Sequence, residues 1–174
     1  MNSERIVITG FMASGKTAVA QALGRILNCR AIDLDERIAA RVERTPKEII
    51  EQDGEPVFRE IETRLLREVL QDPEARVIAL GGGAWTLRRN RELIAQHHGF
   101  TVWLDVPFEL CWQRMTESGS ERPLARDRAS ALDLYNQRRP VYELTSLCIS
   151  VSAERHIDDL AAEISQAILQ RIRT

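Results

Sequence analysis

The segment VITGFMASGKTAV, from Val7 to Val19, combines residue types and a spacing that suit the binding of phosphate groups. Gly10 and Gly15 enclose four residues, and Lys16 and Thr17 follow directly. Glycines allow backbone N–H groups to point toward one anion, and a helix that begins near Gly15 adds the positive end of its dipole. Lys16 brings a full positive charge, and the Thr17 hydroxyl is a ligand that Mg²⁺ accepts. The predicted phosphate-binding contacts come from Gly10, Ala13, Ser14, Gly15, Lys16, Thr17 and Ala18.

The flanking segments favour a phosphate-binding loop over a glycine-containing turn that matches the pattern by chance. A chance match in a chain of this length has odds of roughly one in a hundred or less at average composition. Arg5–Thr9 is a short apolar run typical of a strand, and Thr17–Leu27 carries apolar residues at helical spacing. Strand, loop and helix in this order are the structural context that the pattern requires.

Two carboxylates, Asp33 and Asp35, follow the second predicted strand in the segment IDLDERI. Alternate residues of an extended backbone share a face, so both carboxylates are able to point into one crevice. One interpretation assigns Asp33 to a metal ion and Asp35 to a hydroxyl group that accepts a phosphoryl group. The other interpretation is that these residues start a helix, where acidic side chains cap the chain and interact with its dipole. The pattern alone favours neither.

Three further segments carry candidate binding residues. Arg59 lies in the helical pattern GEPVFREIE, where a lone arginine is ordinarily a surface residue. Gly81–Gly83 end the third predicted strand; a tight turn needs one or two glycines, whereas three indicate that backbone N–H groups approach a ligand closely. Arg138 and Arg139 are either part of a solvated face, or one of them reaches the crevice and holds a carboxylate bidentately.

Residues 116–130, TESGSERPLARDRAS, are too charged and too polar to form a buried element. By composition they predict a solvated surface loop. Beside a phosphate-binding loop, however, a flexible and arginine-rich segment is also typical of a lid that closes over the substrates.

Length and composition predict one soluble globular domain. The chain has 174 residues, of which 44% are hydrophobic and 29% are charged. A net charge of −2 provides no basic surface for nucleic acid, and no apolar run has the length of a membrane span or the character of a signal peptide. The three cysteines are odd in number and far apart, which predicts reduced thiols in the cytoplasm and neither disulfides nor a zinc site.

Strand and helix patterns alternate along the chain, which predicts a doubly wound α/β domain with its ligand crevice at the carboxyl ends of the strands. The predicted strands are Arg5–Thr9, Ala31–Leu34, Arg76–Leu80, Phe100–Val106 and Leu147–Val151. The predicted helices are Lys16–Leu27, Asp35–Val42, Pro46–Gln52, Val57–Leu70, Leu87–His97, Phe108–Glu117, Arg128–Leu144 and Ile157–Ile172.

Taken in chain order, these motifs resemble the shikimate kinase family over essentially the whole chain. The motifs are the phosphate-binding loop, Asp-x-Asp at 33–35, Phe-Arg-x-x-Glu at 58–62, Gly-Gly-Gly at 81–83, Arg-Pro-Leu at 122–124 and Arg-x-Pro-x-Tyr at 138–142. The resemblance implies a P-loop kinase fold of the nucleoside-monophosphate-kinase type, with a five-stranded parallel sheet flanked by helices and a mobile lid. It implies a single domain at 1–174, with an acceptor-binding segment at 35–62 and the lid at 116–130.

The implied reaction transfers the γ-phosphoryl group of ATP to the 3-hydroxyl of shikimate, with Mg²⁺, in the biosynthesis of aromatic amino acids. The resemblance implies that Lys16, Asp35 and Arg122 are catalytic, with Asp35 as the proton acceptor. It assigns the metal to Thr17 and Asp33, and further nucleotide contacts to Arg114, Arg122 and Arg155. It assigns the acceptor to Asp35, Arg59, Gly81, Gly82, Gly83 and Arg138.

Two alternatives remain for the function. One is a kinase of the same fold for another hydroxy acid or sugar acid, such as gluconate, and the other is a non-catalytic nucleotide-binding module. Arg59 and Arg138 together imply an anionic acceptor, because two converging unpaired guanidinium groups would repel each other. The expected partners are ATP and shikimate, with no nucleic acid and no membrane, and the family resemblance implies a monomer.

Overall fold

Five parallel strands form one sheet in the computed structural model, which describes residues 4–119 and 123–172. The strands are β1 (Arg5–Thr9), β2 (Arg30–Asp33), β3 (Ala75–Ala79), β4 (Gly99–Asp105) and β5 (Leu147–Ser150). Their order across the sheet is β2-β3-β1-β4-β5, and each neighbouring pair is parallel. The central strands are almost fully buried, as expected for a parallel sheet that is flanked by helices.

The helices of the described residues alternate with the strands, which confirms the predicted fold class. They are α1 (Lys16–Ile26), α2 (Leu34–Val42), α3 (Pro46–Asp53), α4 (Glu55–Gln71), α5 (Arg88–Gln96), α6 (Phe108–Glu117), α7 (Arg128–Tyr142) and α8 (Ile157–Ile172). Every predicted strand and helix is present, with ends that differ by at most two residues. A short 3₁₀ helix at Ala84–Thr86 was not predicted. Across residues 4–119 and 123–172, no helix combines the length and the apolar character that crossing a bilayer requires.

Two element boundaries have local physical causes. Leu34 was predicted to end a strand but begins α2, because the Asp33 carboxylate accepts hydrogen bonds from the backbone N–H groups of Asp35 and Glu36. Gly54 separates α3 from α4 with φ of 90°, a conformation that glycine adopts without steric penalty. These two boundaries fix the start of α2 and the start of α4, and both helices carry candidate site residues.

The strand order brings several candidate segments to the same edge of the sheet. The phosphate-binding loop follows β1, which is the central strand. Asp33 ends β2, and Gly81–Gly83 follow β3, which pairs with both β2 and β1. The carboxyl ends of parallel strands lie at one edge, so these segments meet next to the loop, where ligands bind in open α/β sheets.

Candidate functional site

A cavity of about 630 Å³ opens at this edge of the sheet. Its volume lies in the range of pockets that enclose small-molecule ligands. The predicted site residues that line it are Ala13, Gly15, Lys16, Thr17, Ala18, Asp33, Asp35, Arg59, Gly81, Gly82, Gly83 and Arg138. The structure therefore brings most of the predicted phosphate-binding, metal-binding and acceptor-binding residues into one pocket.

The phosphate-binding loop has the backbone that its glycines predict, with one exception. Gly10 and Gly15 have φ of 149° and 90°, and a Cβ on Gly10 would lie 2.9 Å from the carbonyl oxygen of Leu104. Ala13 also has a left-handed φ, of 57°, which costs a non-glycine residue about 1–2 kcal/mol. The strain at Ala13 lies in the loop itself, and strained backbone of this kind clusters at ligand-binding sites.

Lys16 is folded back onto the loop. Its Nζ donates to the carbonyl oxygen of Phe11 at 2.8 Å and to the Ser14 hydroxyl at 3.4 Å. The ammonium group is thus held at the mouth of the loop, at the start of α1, where it is able to exchange these neutral acceptors for phosphate oxygens.

Asp33 takes one of the two roles that the sequence left open, that of a helix cap, and its metal role stays a prediction. One carboxylate oxygen caps α2, and the other accepts a hydrogen bond from the Thr17 hydroxyl at 2.5 Å. Hydroxyl and carboxylate oxygens are the hard donors that Mg²⁺ prefers, and Mg²⁺ in kinases takes few protein ligands because nucleotide phosphates supply others. The Thr17–Asp33 pair therefore fits a magnesium ion that is shared with a nucleotide.

Asp35 lies in the first turn of α2 and faces Gly81. A Cβ on Gly81 would lie 2.6 Å from Asp35 Oδ1 and 3.1 Å from Glu62 Oε1, and a Cβ on Gly83 would overlap Arg59 Nη2. The triple glycine thus has a reason that the sequence did not reveal, since the absent side chains leave room for charged groups of the pocket. Its expected contacts with a ligand stay a prediction.

The expectation that both guanidinium groups are unpaired is wrong for Arg59. Its Nη1 donates to Glu62 Oε2 at 2.8 Å, while Nε and Nη2 donate to Glu55 Oε1 at 3.0 and 2.9 Å. The guanidinium also lies over the Phe58 ring. Two carboxylates one helical turn away on α4 therefore fix and neutralise Arg59, because positions i−4 and i+3 share its helix face.

Arg138 has a different environment from Arg59. It is only 7% exposed, and among the described residues no carboxylate forms an ion pair with it. Burial lowers its pKa, while the neighbouring Tyr142 acts in the opposite direction. The Tyr142 hydroxyl donates to the carbonyl oxygen of Gly82 at 2.5 Å, which ties α7 to the triple glycine. Burying a cation of this kind is costly when no anion lies beside it.

The structure also decides between the two adjacent arginines of α7. Arg139 forms a bidentate ion pair with Asp105, at 2.7 and 3.0 Å, and lies over the Trp103 ring. Arg139 therefore attaches α7 to the end of β4, and Arg138 is the arginine that reaches the pocket.

Glu62 is a pocket residue that the sequence analysis did not select. It is fully buried, and burial raises its pKa to about 7, against the lowering effect of Arg59 and Arg138 and with a further increase from Asp35. The signal that could have found it is the spacing of Phe-Arg-x-x-Glu, which places Glu62 three residues after Arg59 on one helix face. The remaining lining residues of the pocket were also missed, and they are Met12, Thr45, Pro46, Lys47, Ile50, Phe58, Leu80, Pro123 and Leu124.

Four predicted residues do not line this pocket, and one lies outside the described part of the chain. Gly10 and Ser14 lie next to each other inside the loop, where a Cβ on Gly10 would be 2.9 Å from the Ser14 hydroxyl oxygen. Arg114 donates from α6 to the Ala13 carbonyl at 3.4 Å. Arg155 follows β5, where it donates to the Ser150 carbonyl at 2.8 Å and pairs with Glu163. Arg122 lies outside the described residues. The nucleotide contacts of these arginines stay predictions.

The family model and the curated relatives that match this chain all name the same family. The family model described as "Shikimate kinase" matches residues 12–172. The chain is 36% identical to the shikimate kinase of Cereibacter sphaeroides, over 95% of this chain and 83% of that protein. It is 34% identical to the shikimate kinase of Ruegeria pomeroyi, over 95% of this chain and 85% of that protein.

Solved structures agree with these relatives. The shikimate kinase of Acinetobacter baumannii, determined in complex with shikimate, superposes with a TM-score of 0.88 at 35% identity and covers 97% of this chain and 94% of that one. A gluconokinase of Sinorhizobium meliloti has a TM-score of 0.62 at 14% identity, covering 97% of both chains, which is a likeness of fold alone.

Proposed function

The chain belongs to the shikimate kinase family, and from the geometry of its pocket we propose how its residues perform that family's reaction. The enzyme transfers the γ-phosphoryl group of ATP to the 3-hydroxyl of shikimate, giving shikimate 3-phosphate and ADP on the route to aromatic amino acids. The alternatives, a gluconate-type kinase and a non-catalytic nucleotide-binding module, are not favoured, since the likeness to a gluconokinase is limited to the fold.

The observation that carries the assignment of the acceptor site is the buried Arg138, which has no ion pair among the described residues. We propose that the carboxylate of shikimate supplies the missing anion, through a charge-assisted and bidentate contact. Arg59 presents its guanidinium beside Gly83, and it is held there by Glu55 and Glu62. Backbone N–H groups of Gly81–Gly83 complete the acceptor site.

Asp35 is the proposed proton acceptor. It lines the same pocket as Thr17 and Asp33 and lies next to Gly81. The 3-hydroxyl would donate its proton to the carboxylate while its oxygen forms a bond to the γ-phosphorus and the bond to the β-phosphate oxygen breaks. General-base assistance of this kind contributes about 10²- to 10⁴-fold to rate.

The loop residues Gly10–Ala18 are proposed to bind ATP, with Lys16 against its outer phosphates. Thr17 and Asp33 would hold Mg²⁺, which when bound neutralises charge on the phosphates. We propose that residues 116–130 close over the substrates and bring Arg122 to the phosphates, because Pro123 and Leu124 already line the pocket. Arg114 and Arg155 are proposed nucleotide contacts, and a single domain that acts as a cytoplasmic monomer is proposed from family resemblance.

A coupled assay of ADP release tests the function. Shikimate should be phosphorylated in the presence of ATP and Mg²⁺, gluconate should be a poor acceptor, and Arg138→Ala should raise the KM for shikimate by about one to two powers of ten with little effect on ATP. Arg67→Met removes one positive charge from an exposed position on α4 and is the matched control. A preference of the unmodified enzyme for gluconate, or an unchanged KM in Arg138→Ala, would contradict the proposal.

A further inference from the structure

Arginine greatly outnumbers lysine in this chain. Of its 24 basic residues, 22 are arginines and two are lysines, at positions 16 and 47. Both lysines line the same pocket. Lys16 belongs to the phosphate-binding loop, whereas no role has been assigned to Lys47.

Lys47 lines the same pocket as the charged groups already described. It is a half-buried residue in the first turn of α3, next to Pro46, which also lines the pocket. Thr45 and Glu48 form a capping box that fixes this end of the helix. A cavity of this volume is only ~10 Å across, so a flexible lysine stem on its wall reaches a ligand inside it. The capping box thus fixes the backbone of Lys47, and its side chain lines the pocket.

The chemistry of the two kinds of cation indicates what Lys47 binds. The planar fork of Arg138 matches a carboxylate, and the buried Arg138 is the proposed partner for the carboxylate of shikimate. Lysine presents a compact point charge that suits a phosphate, and Lys16 does so from the nucleotide side of the pocket. The phosphorylated acceptor differs from the acceptor by a new phosphate group. Lys47 lines the pocket and lies in the segment 35–62 that the family resemblance assigns to the acceptor, so its cation is placed to contact that group.

We propose that Lys47 binds the phosphate group of the phosphorylated acceptor and thereby favours the product side of the transfer. The proposal rests on the proposed function, since it takes shikimate 3-phosphate as the product. Lys47 is a binding residue here and takes no proton from the acceptor, which leaves the proposed role of Asp35 unchanged.

Binding of shikimate 3-phosphate and of shikimate to nucleotide-free enzyme, measured by isothermal titration calorimetry, tests the proposal. Lys47→Met keeps the length of the side chain and removes its charge, and it should weaken binding of shikimate 3-phosphate by about tenfold while changing shikimate binding by less than about twofold. Lys47→Arg keeps the charge and should retain most of the affinity for shikimate 3-phosphate. Arg67→Met makes the same change in net charge at an exposed position of α4 and should leave both affinities unchanged.

Amine-selective acylation followed by mass spectrometry gives a second readout on the unmodified protein, because the chain has only two lysines. Shikimate 3-phosphate should slow the modification of Lys47 more than shikimate does. Equal loss of affinity for both ligands in Lys47→Met, or no loss together with unprotected Lys47, would overturn the proposal. If the unmodified enzyme failed to phosphorylate shikimate, the proposed function would fail instead, so the two failures are distinguishable.

Discussion

Gly81→Ala is expected to lower kcat by about 100-fold, which corresponds to about 2.7 kcal/mol of transition-state stabilisation. The new Cβ would lie 2.6 Å from Asp35 Oδ1, whereas ordinary contacts begin near 3.4 Å, so the carboxylate must move by about 0.8 Å. The carboxylate of Glu62, which would lie 3.1 Å from the same Cβ, is buried and paired with Arg59 and therefore limits the directions in which Asp35 is able to move. A misplacement of about 1 Å is enough to cost roughly two powers of ten in rate.

The neighbouring glycine supplies the control for this prediction. Gly81 and Gly82 do not have a positive φ, so alanine at either position meets no backbone penalty. A Cβ on Gly82 would meet Met12 Cγ at 3.2 Å, and the flexible Met12 side chain is able to adjust.

The coupled assay of ADP release, with shikimate and ATP varied separately, measures kcat and both KM values, and thermal denaturation checks that each variant is folded. Gly82→Ala should keep most of the wild-type kcat. A wild-type kcat in Gly81→Ala would refute the placement of Asp35 as the proton acceptor. An equal loss in both variants would refute the steric argument, since Gly82 does not face Asp35.

Three further predictions concern charged groups of the pocket. Lys16→Met should leave a folded protein with kcat lower by about 10²- to 10³-fold, because the ammonium on the phosphates is lost; normal turnover would contradict the loop assignment. Asp35→Asn should retain ATP binding and lose turnover, because an amide accepts no proton; a melted protein with normal specific activity would identify a purely structural residue. The pKa of Glu62 is about 7 in the folded chain and 4.5 when unperturbed, so its carboxyl destabilises the fold progressively as the pH rises through that window. Relative to Glu62→Gln, the free energy of unfolding of the wild type should therefore fall by up to about 3 kcal/mol between pH 4.5 and 7 in denaturant titrations, and a difference that is independent of pH would contradict the raised pKa.

Local rules determined much of this protein from its sequence. The phosphate-binding loop could be predicted because each of its parts acts over a few residues: glycines at positive φ, a helix start, one lysine and one hydroxyl. The strands and helices could be predicted because apolar spacing reflects burial of one element against its neighbours. The boundary at Leu34 was predicted wrongly, because a single side-chain cap at Asp33 starts α2 one residue earlier.

Tertiary structure decided the contacts between segments that are distant in the chain. The residue pattern alone could not choose between Arg138 and Arg139, because adjacent residues of a helix differ only in the direction they face. The family resemblance assigned Arg138, and the fold placed Asp105 next to Arg139. Likewise the need for glycine at 81 and 83 arises from Asp35 and Arg59, which are more than 20 residues away. Steric exclusion and ion pairing depend on distance in space, and the chain fixes that distance only when the parallel strands assemble and bring their carboxyl ends together.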